Sequence, residues 1–352
     1  MDAPRRLRRA RPRNGDGMRE SVVRVGPLMV LPALLRELGC APEPLFRTAG
    51  FDIASFDDPD AWIPYVSGSK LLERCIEATG REDFGLLIGQ RASPSCLGIS
   101  GYILRTAPDV RTALQDLVRH FDLHDEGGLP FMTTTGSVSL LGFAIHQPGV
   151  AAAGEIYDLA ISVACNIMRG LCGAGWRPGE VLLSRRRPVD PAPWQRFFQA
   201  PLSFDAEHSA VAFPARWLDH RLPNADSLLH RHLEAEAAAL RAQRETNLVG
   251  ATRVMLRHLL AARKTSVGEV SRQLGMHERT LDRRLHEEGT TFQRELDAVR
   301  YARAQQLLAN TAMSLDRIAT ALEYADVSAF IRAFKRWAGV TPARWRVRAR
   351  TR

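Results

Sequence analysis

The sequence predicts an α+β N-terminal domain followed by an all-α C-terminal domain that carries two helix-turn-helix motifs. Three observations lead there. Residues 265–289, TSVGEVSRQLGMHERTLDRRLHEEG, combine a capped short helix, a glycine turn and a basic second helix. The pattern returns 48 to 49 residues later, where Val270, Leu274 and Leu281 correspond to Ile318, Leu322 and Phe330. Upstream, a helical stretch gives way to runs with strand periodicity between Leu129 and Phe213.

In chain order, residues 1–24 are rich in Arg, Pro and Gly and lack periodicity, so they read as a disordered basic tail. Either a basic arm touching DNA or a true start at Met18 would account for them. Short helices are expected at 28–38, 44–49, 66–78, 84–91, 98–105 and 110–121, the last behind an Asp109 cap. Strands at 129–135 and 137–146 should meet in a hairpin at Gly136. A strong helix at 154–171 precedes further strands at 180–184, 202–204 and 210–213, with a helix at 194–198. Residues 226–243 form a capped helix with Leu229, Leu233 and Leu240 on one stripe, a bridge or dimer contact. The implied division is a tail (1–24), a regulatory domain (25–225), a connecting helix and linker (226–250) and a final domain (251–348).

That final domain holds two units, 266–288 and 314–338. In the first, Ser266 with Glu269 makes a capping box, Val267, Val270 and Leu274 share a face, and Gly275 ends the helix. Leu281 and Leu285 then face inward, with Arg279, Arg283, Arg284 and His286 outward. Thr290 with Gln293 caps a connecting rod that carries Leu296, Val299, Ala304 and Leu307. Ser314 and Asp326 are the caps of the second unit.

Charge is distributed to match. Of 48 basic residues only Lys70, Lys264 and Lys335 are lysine, which marks a coding preference. Residues 251–352 nevertheless carry a net +10 while 25–250 carry −6, the pattern of a nucleic-acid module joined to another kind of domain. No apolar run reaches about 18 residues, so no membrane helix is expected. Cys40, Cys75, Cys96, Cys165 and Cys172 are scattered and fit reduced thiols in a cytoplasm.

The segment IAxxLxYxxxSAFxRAFKRWxGxTPxxWR, from Ile318 to Arg346, resembles the signature of the AraC/XylS family of transcription regulators, and GMHERTLDRRLHEEGTTFQ resembles its other helix-turn-helix. GFDIASFDDPDAWIP, FGLLIGQ, the 98–102 segment and WQRFFQAPLSFDAEHSAVAF look like the effector-binding domain of one branch. The resemblance implies seven C-terminal helices, with two recognition helices entering successive major grooves of double-stranded DNA. It also implies a small-molecule effector, RNA polymerase as a partner and a possible homodimer. Three residues depart from the pattern: Glu323 replaces a turn glycine, His277 a capping serine, and Val327 an outer polar residue.

Candidate DNA-binding residues are Arg279, Thr280, Asp282 and Arg283 in the first unit, and Ser328, Ala329, Arg332, Lys335 and Arg336 in the second. Arginine forks onto guanine O6 and N7, serine bonds base edges or phosphate, and Asp282 could accept from cytosine N4. No catalytic residue, cofactor or metal is expected. His120 and His124 with Asp125 and Glu126, and His230 and His232 with Glu234, read as surface histidines. No P-loop, GxSxG, HExxH or dinucleotide fingerprint is present. Phe46, Phe51, Trp62, Tyr65, Phe84, Tyr102 and Tyr157 line either a cavity or an ordinary core. Against a ligand-controlled regulator stand a constitutive DNA binder that dimerises through its N-terminal domain, and an enzyme fused to a DNA-binding domain.

Overall fold

The computed structural model describes residues 20–173, 175–242, 248–261 and 263–350. Residues 1–19 of the expected tail lie outside that set, but 20–24 do not behave as a tail. Val22–Arg24 (β1) pairs antiparallel with Trp62–Pro64 (β2), with Val23 opposite Ile63. Glu20 is buried, and its carboxylate accepts from Val66 N at 3.0 Å. The Arg-Pro-Gly composition hid this strand, whose Val23 packs against two cores.

Helices α1 (Leu31–Glu37), α2 (Pro42–Thr48), α3 (Tyr65–Thr79), α4 (Phe84–Arg91), α5 (Ile99–Thr106) and α6 (Val110–His120) follow the expected spans closely. Asp109 caps α6 by accepting from Thr112 N at 2.9 Å. Then come β3 (Gly128–Thr135), β4 (Val138–Ile145), α7 (Ala153–Cys172), β5 (Glu180–Leu182), α8 (Ala192–Phe198), β6 (Leu202–Ser203) and β7 (Ser209–Pro214). The strands form one sheet in the order β3-β4-β7-β5-β6, antiparallel except for the β5–β6 pair.

Helix α7 organises this half. Tyr157, Ile161, Val163, Ile167 and Met168 are buried within the core that also holds Leu141, Val211 and Phe213 of the sheet. On another side α4 crosses it backbone to backbone. A Cβ on Gly85 would lie 2.0 Å from Glu155 O, and one on Gly89 2.5 Å from Ser162 Cβ. The two glycines of FGLLIGQ are therefore required by close approach.

The connecting helix α9 (Ser227–Ala242) lies on α5, burying Ala237 and packing Leu233 against Ile103 and Leu123. Leu229 and Leu240 of the predicted stripe remain exposed. Residues 243–247 lie outside the described set, and 248–250, read as linker, already belong to α10 (Leu248–Ala261).

The C-terminal helices are α11 (Val267–Gln273), α12 (Glu278–Glu287), α13 (Phe292–Asn310), α14 (Leu315–Ala321), α15 (Val327–Ala338) and α16 (Pro342–Arg350). With α10 they make seven among the described residues. The rod α13 starts one residue later than expected: Thr291, not Thr290, accepts from Arg294 N at 3.2 Å. Thr290 instead donates to buried Glu295 at 2.5 Å. Leu281, Leu285, Val299, Leu307, Ile318, Phe330 and Phe334 close one core across both units. Truncating either phenylalanine to alanine costs roughly 3–5 kcal/mol in such a setting.

Candidate nucleic-acid interface

Each unit is assembled by its caps. In the first, Ser266 Oγ accepts from Glu269 N at 3.1 Å, and Gly275 turns the chain at a φ of 67°. His277, expected to leave the next helix poorly capped, accepts from Arg279 N through Nδ1 at 3.3 Å. Helix α12 buries Leu281 and Leu285, which leaves Arg279, Asp282, Arg283, Arg284 and His286 exposed.

The second unit repeats the design. Ser314 accepts from Arg317 N at 3.3 Å, and Asp326 from Ala329 N at 2.7 Å. Helix α15 buries Phe330, Ala333 and Phe334 and exposes Ser328, Arg332, Lys335 and Arg336. Val327 is half-buried against the shared core. Glu323 adopts the left-handed conformation, with a φ of 58°. Its carboxylate is held by the Thr265 hydroxyl and faces Arg300, which also stacks on Tyr324 at 4.9 Å. The glycine is replaced by a side chain that ties the second turn to the segment before the first unit.

The nine candidate residues do not stand alike. Arg279, Arg332 and Lys335 are exposed and hold no ion pair among the described residues. Arg283 pairs with Glu287 at 2.7 Å, both well exposed. Such a surface pair is worth little and yields to a phosphate or base. Asp282 faces His286 at 3.6 Å. Thr280 and Ala329 are half-buried, and the Ala329 amide is spent on the Asp326 cap. Arg336 donates to Asp297 of the rod at 2.9 Å, beside Trp337 Nε1 on the same oxygen.

The N-terminal half encloses a cavity of about 100 Å³ between α3, α6, α7 and the β3–β4 hairpin. Its wall is mostly apolar, with Leu72, Leu117, Phe121, Phe143, Leu159 and Val163. Of the seven aromatic candidates, only Tyr65 lines it. Arg24, His124 and Asp125 form the polar end. Asp125 accepts from Gly127 N and Gly128 N at 2.6 and 2.8 Å, while His124 Nδ1 has no hydrogen-bond partner among the described residues. Burial, aided by Arg24, lowers the His124 pKa to about 3, so the ring is neutral.

The two halves meet along the rod. Arg303 Nη1 donates to Tyr157 Oη at 2.9 Å, and Arg303 Nη2 donates to Glu207 O. Arg186 donates to Ala309 O at 2.9 Å, and Ala312 N to Asp205 at 2.7 Å.

The histidines correct the surface reading. His120, His124 and His230 are 4%, 3% and 8% exposed. Only His232 of that set is exposed. The grouping by neighbours in sequence missed that α6 and α9 turn residues four apart toward each other.

Two capped helix pairs with basic outer flanks, fastened by one rod, define a DNA-binding regulator. The family description "arabinose-binding domain of AraC transcription regulator" matches residues 39–222, and a helix-turn-helix domain matches 270–348. The chain belongs to the AraC family of transcription regulators and binds DNA. It is 27% identical over 335 residues to the HTH-type transcriptional regulator VirS of Mycobacterium tuberculosis, spanning 93% of this chain and 96% of the relative. It is 26% identical to the ornithine utilization regulator of Pseudomonas aeruginosa, over 89% and 93% of the two chains. The crystal structure of the transcriptional regulator CdpR from Pseudomonas aeruginosa aligns with 87% of this chain and 96% of its own, at 25% identity and a TM-score of 0.43. No helix among the described residues is long and apolar enough to cross a membrane.

Proposed function

We propose that a small molecule held in the N-terminal cavity controls how this regulator occupies its operator. The observation that carries this reading is the placement of α7. One face of the helix walls the cavity through Leu159 and Val163, and Tyr157 of the same helix bonds the rod that joins the two DNA-binding units. A guest that shifts α7 changes the rod's docking, and so biases an equilibrium between arrangements of the two halves. On this reading the regulatory half runs to about residue 225, the connecting helix and linker to 250 and the DNA-binding half from 251 to 348.

Arg279, Asp282, Arg283, Ser328 and Arg332 would then face base edges, with Lys335 on phosphate and Thr280, Ala329 and Arg336 at the margins. Phosphate contacts make the affinity salt-dependent. RNA polymerase is the expected partner at the promoter in the cytoplasm. A homodimer would use the exposed Leu229 and Leu240 of α9. Those leucines also favour the second reading, a constitutive DNA binder whose N-terminal half only dimerises.

Thermal melts against a metabolite panel separate the two. A specific ligand at 100 times its dissociation constant stabilises by roughly 2.7 kcal/mol, and it should also change footprinting at the operator. A panel with no stabilising compound, together with a dimer lost in Leu229→Asp, would favour the constitutive reading.

A further inference from the structure

Helices α6 and α9 carry matched donors. Asp116 and His120 stand four residues apart on α6, and His230 and Glu234 four apart on α9. Residues at that spacing share a helix face, so each helix presents a carboxylate and an imidazole to the other. Ligand atoms of Asp116, His120 and Glu234 all lie within 4.8 Å of one another. His120 Nε2 is 3.7 Å from Glu234 Oε1, and His230 Nε2 is 3.3 Å from Asp116 Oδ2. Donors around a tetrahedral zinc, bound at about 2.0–2.1 Å, are separated by roughly 3.4 Å. His230 stands outside that trio and adjoins it through Asp116, so its ring moves inward to become the fourth donor.

Two further observations point to a ligand. Both ring nitrogens of His120, a residue 4% exposed, lack a hydrogen-bond partner among the described residues. Buried polar atoms are normally satisfied, and leaving them bare is costly. His230 Nδ1 lies 3.1 Å from Thr106 Oγ1 and 3.3 Å from Ile103 O. Donation from Nδ1 to that carbonyl puts the free lone pair on Nε2, the atom that faces Asp116, as an outer partner does for a metal-bound imidazole. Arg119 approaches Asp116 at 3.4 Å and Glu234 at 3.2 Å, but its side chain is 57% exposed and can swing into water.

We propose that Asp116, His120, His230 and Glu234 form a binding site for Zn²⁺ that clamps α9 onto α6. Mixed imidazole and carboxylate donors suit zinc and its transition-metal neighbours better than calcium or magnesium. Helix α9 is the last described element before the DNA-binding helices. Metal occupancy therefore acts on the segment that leads into them, independently of any guest in the cavity.

Full-length protein stripped with a chelator and dialysed is titrated with Zn²⁺ by calorimetry and with Co²⁺ in the visible spectrum. The expected result is a single equivalent bound, weak Co²⁺ d–d bands of a nitrogen–oxygen site, and a higher melting temperature. His120→Gln and Glu234→Gln each weaken binding at least tenfold, while His232→Gln on the exposed side of α9 leaves it unchanged. Melts recorded in chelator establish that each variant folds. X-ray absorption of the Zn²⁺-loaded parent, which needs no variant, should report imidazole and carboxylate donors. Absence of stoichiometric binding, sulfur donors, or unchanged affinity in both folded variants would overturn the site.

Discussion

The guanidinium of Arg303, on the rod between the two DNA-binding units, donates to the buried hydroxyl of Tyr157, 2.9 Å away on the helix that walls the cavity. The hydroxyl itself lies 3.3 Å from Gln306 Oε1, one turn along the same rod. The phenol thus joins α7 to the rod, alongside the Arg303–Glu207, Arg186–Ala309 and Ala312–Asp205 hydrogen bonds.

Tyr157→Phe removes that joint and little volume. The expected loss is about 1.5–3 kcal/mol, the net worth of a hydrogen bond to a charged group. It should appear as faster amide exchange along 292–310, with the N-terminal half melting almost unchanged. Arg303→Ala should cost more, because it also strips the Glu207 carbonyl of its donor. Equal exchange in the parent and Tyr157→Phe would show that the contact does not hold the halves together.

On DNA, Arg332→Ala is expected to weaken operator binding by roughly 1–3 kcal/mol and to leave random DNA nearly unaffected. Lys335→Ala should weaken both alike and lower the salt slope by about one. Arg336→Ala, already paired with Asp297, should change affinity less than either. Gel-shift titrations at several salt concentrations decide this, and uniform loss in Arg332→Ala would make it a phosphate contact.

Glu323 offers a test of strain against tethering. Glu323→Ala keeps a side chain at a φ of 58° and loses the Thr265 and Arg300 contacts. Glu323→Gly loses the same contacts but relieves the left-handed penalty, about 1 kcal/mol. Both should melt below the parent, with the glycine variant above the alanine one. An alanine variant melting with the parent would mean that the tether adds nothing.

His124 and Asp125 titrate against each other. Burial lowers the His124 pKa from 6.5 to about 3 and raises that of Asp125 from 3.8 to about 7. Below pH 6.5 the unfolded chain binds a proton at His124 that the folded one refuses, so this contribution is present above 6.5 and drains as pH falls toward 3. Asp125 runs the other way: its contribution is present below 3.8 and is lost as pH rises to about 7. Between 3.8 and 6.5 the two slopes cancel, each about 1.4 kcal/mol per pH unit at full effect. Relative to the parent, His124→Asn should lose stability with rising pH across that window, and Asp125→Asn should gain it. Parallel profiles in thermal melts would refute the opposition.

The C-terminal half was legible because each of its devices is local. Ser266, Ser314 and Asp326 cap within three residues, Gly275 turns where only glycine is at ease, and the leucines and phenylalanines repeat at helical spacing. The candidate contacts were legible for the same reason, since burying Leu281 and Phe334 leaves Arg283 and Arg332 outside. What failed was long-range. Val22–Arg24 reads as tail until Trp62–Pro64 pairs with it some forty residues on. His277 caps through a ring nitrogen, which serine-based expectation overlooks. His120 and His230 look like surface residues until α6 and α9 meet, and Arg336 looks free until Asp297 of the rod faces it.

Helix α7 is gripped unequally on its two sides. Where α4 crosses at Gly85 and Gly89, main chain lies against main chain, and no rotamer can give way. Toward the rod, the meeting point is the Tyr157 hydroxyl with the long side chains of Arg303 and Gln306, hydrogen bonds rather than main chain. A guest too wide for the chamber would therefore displace α7 in the compliant direction, so the two glycines act as an anvil that decides which way a push travels.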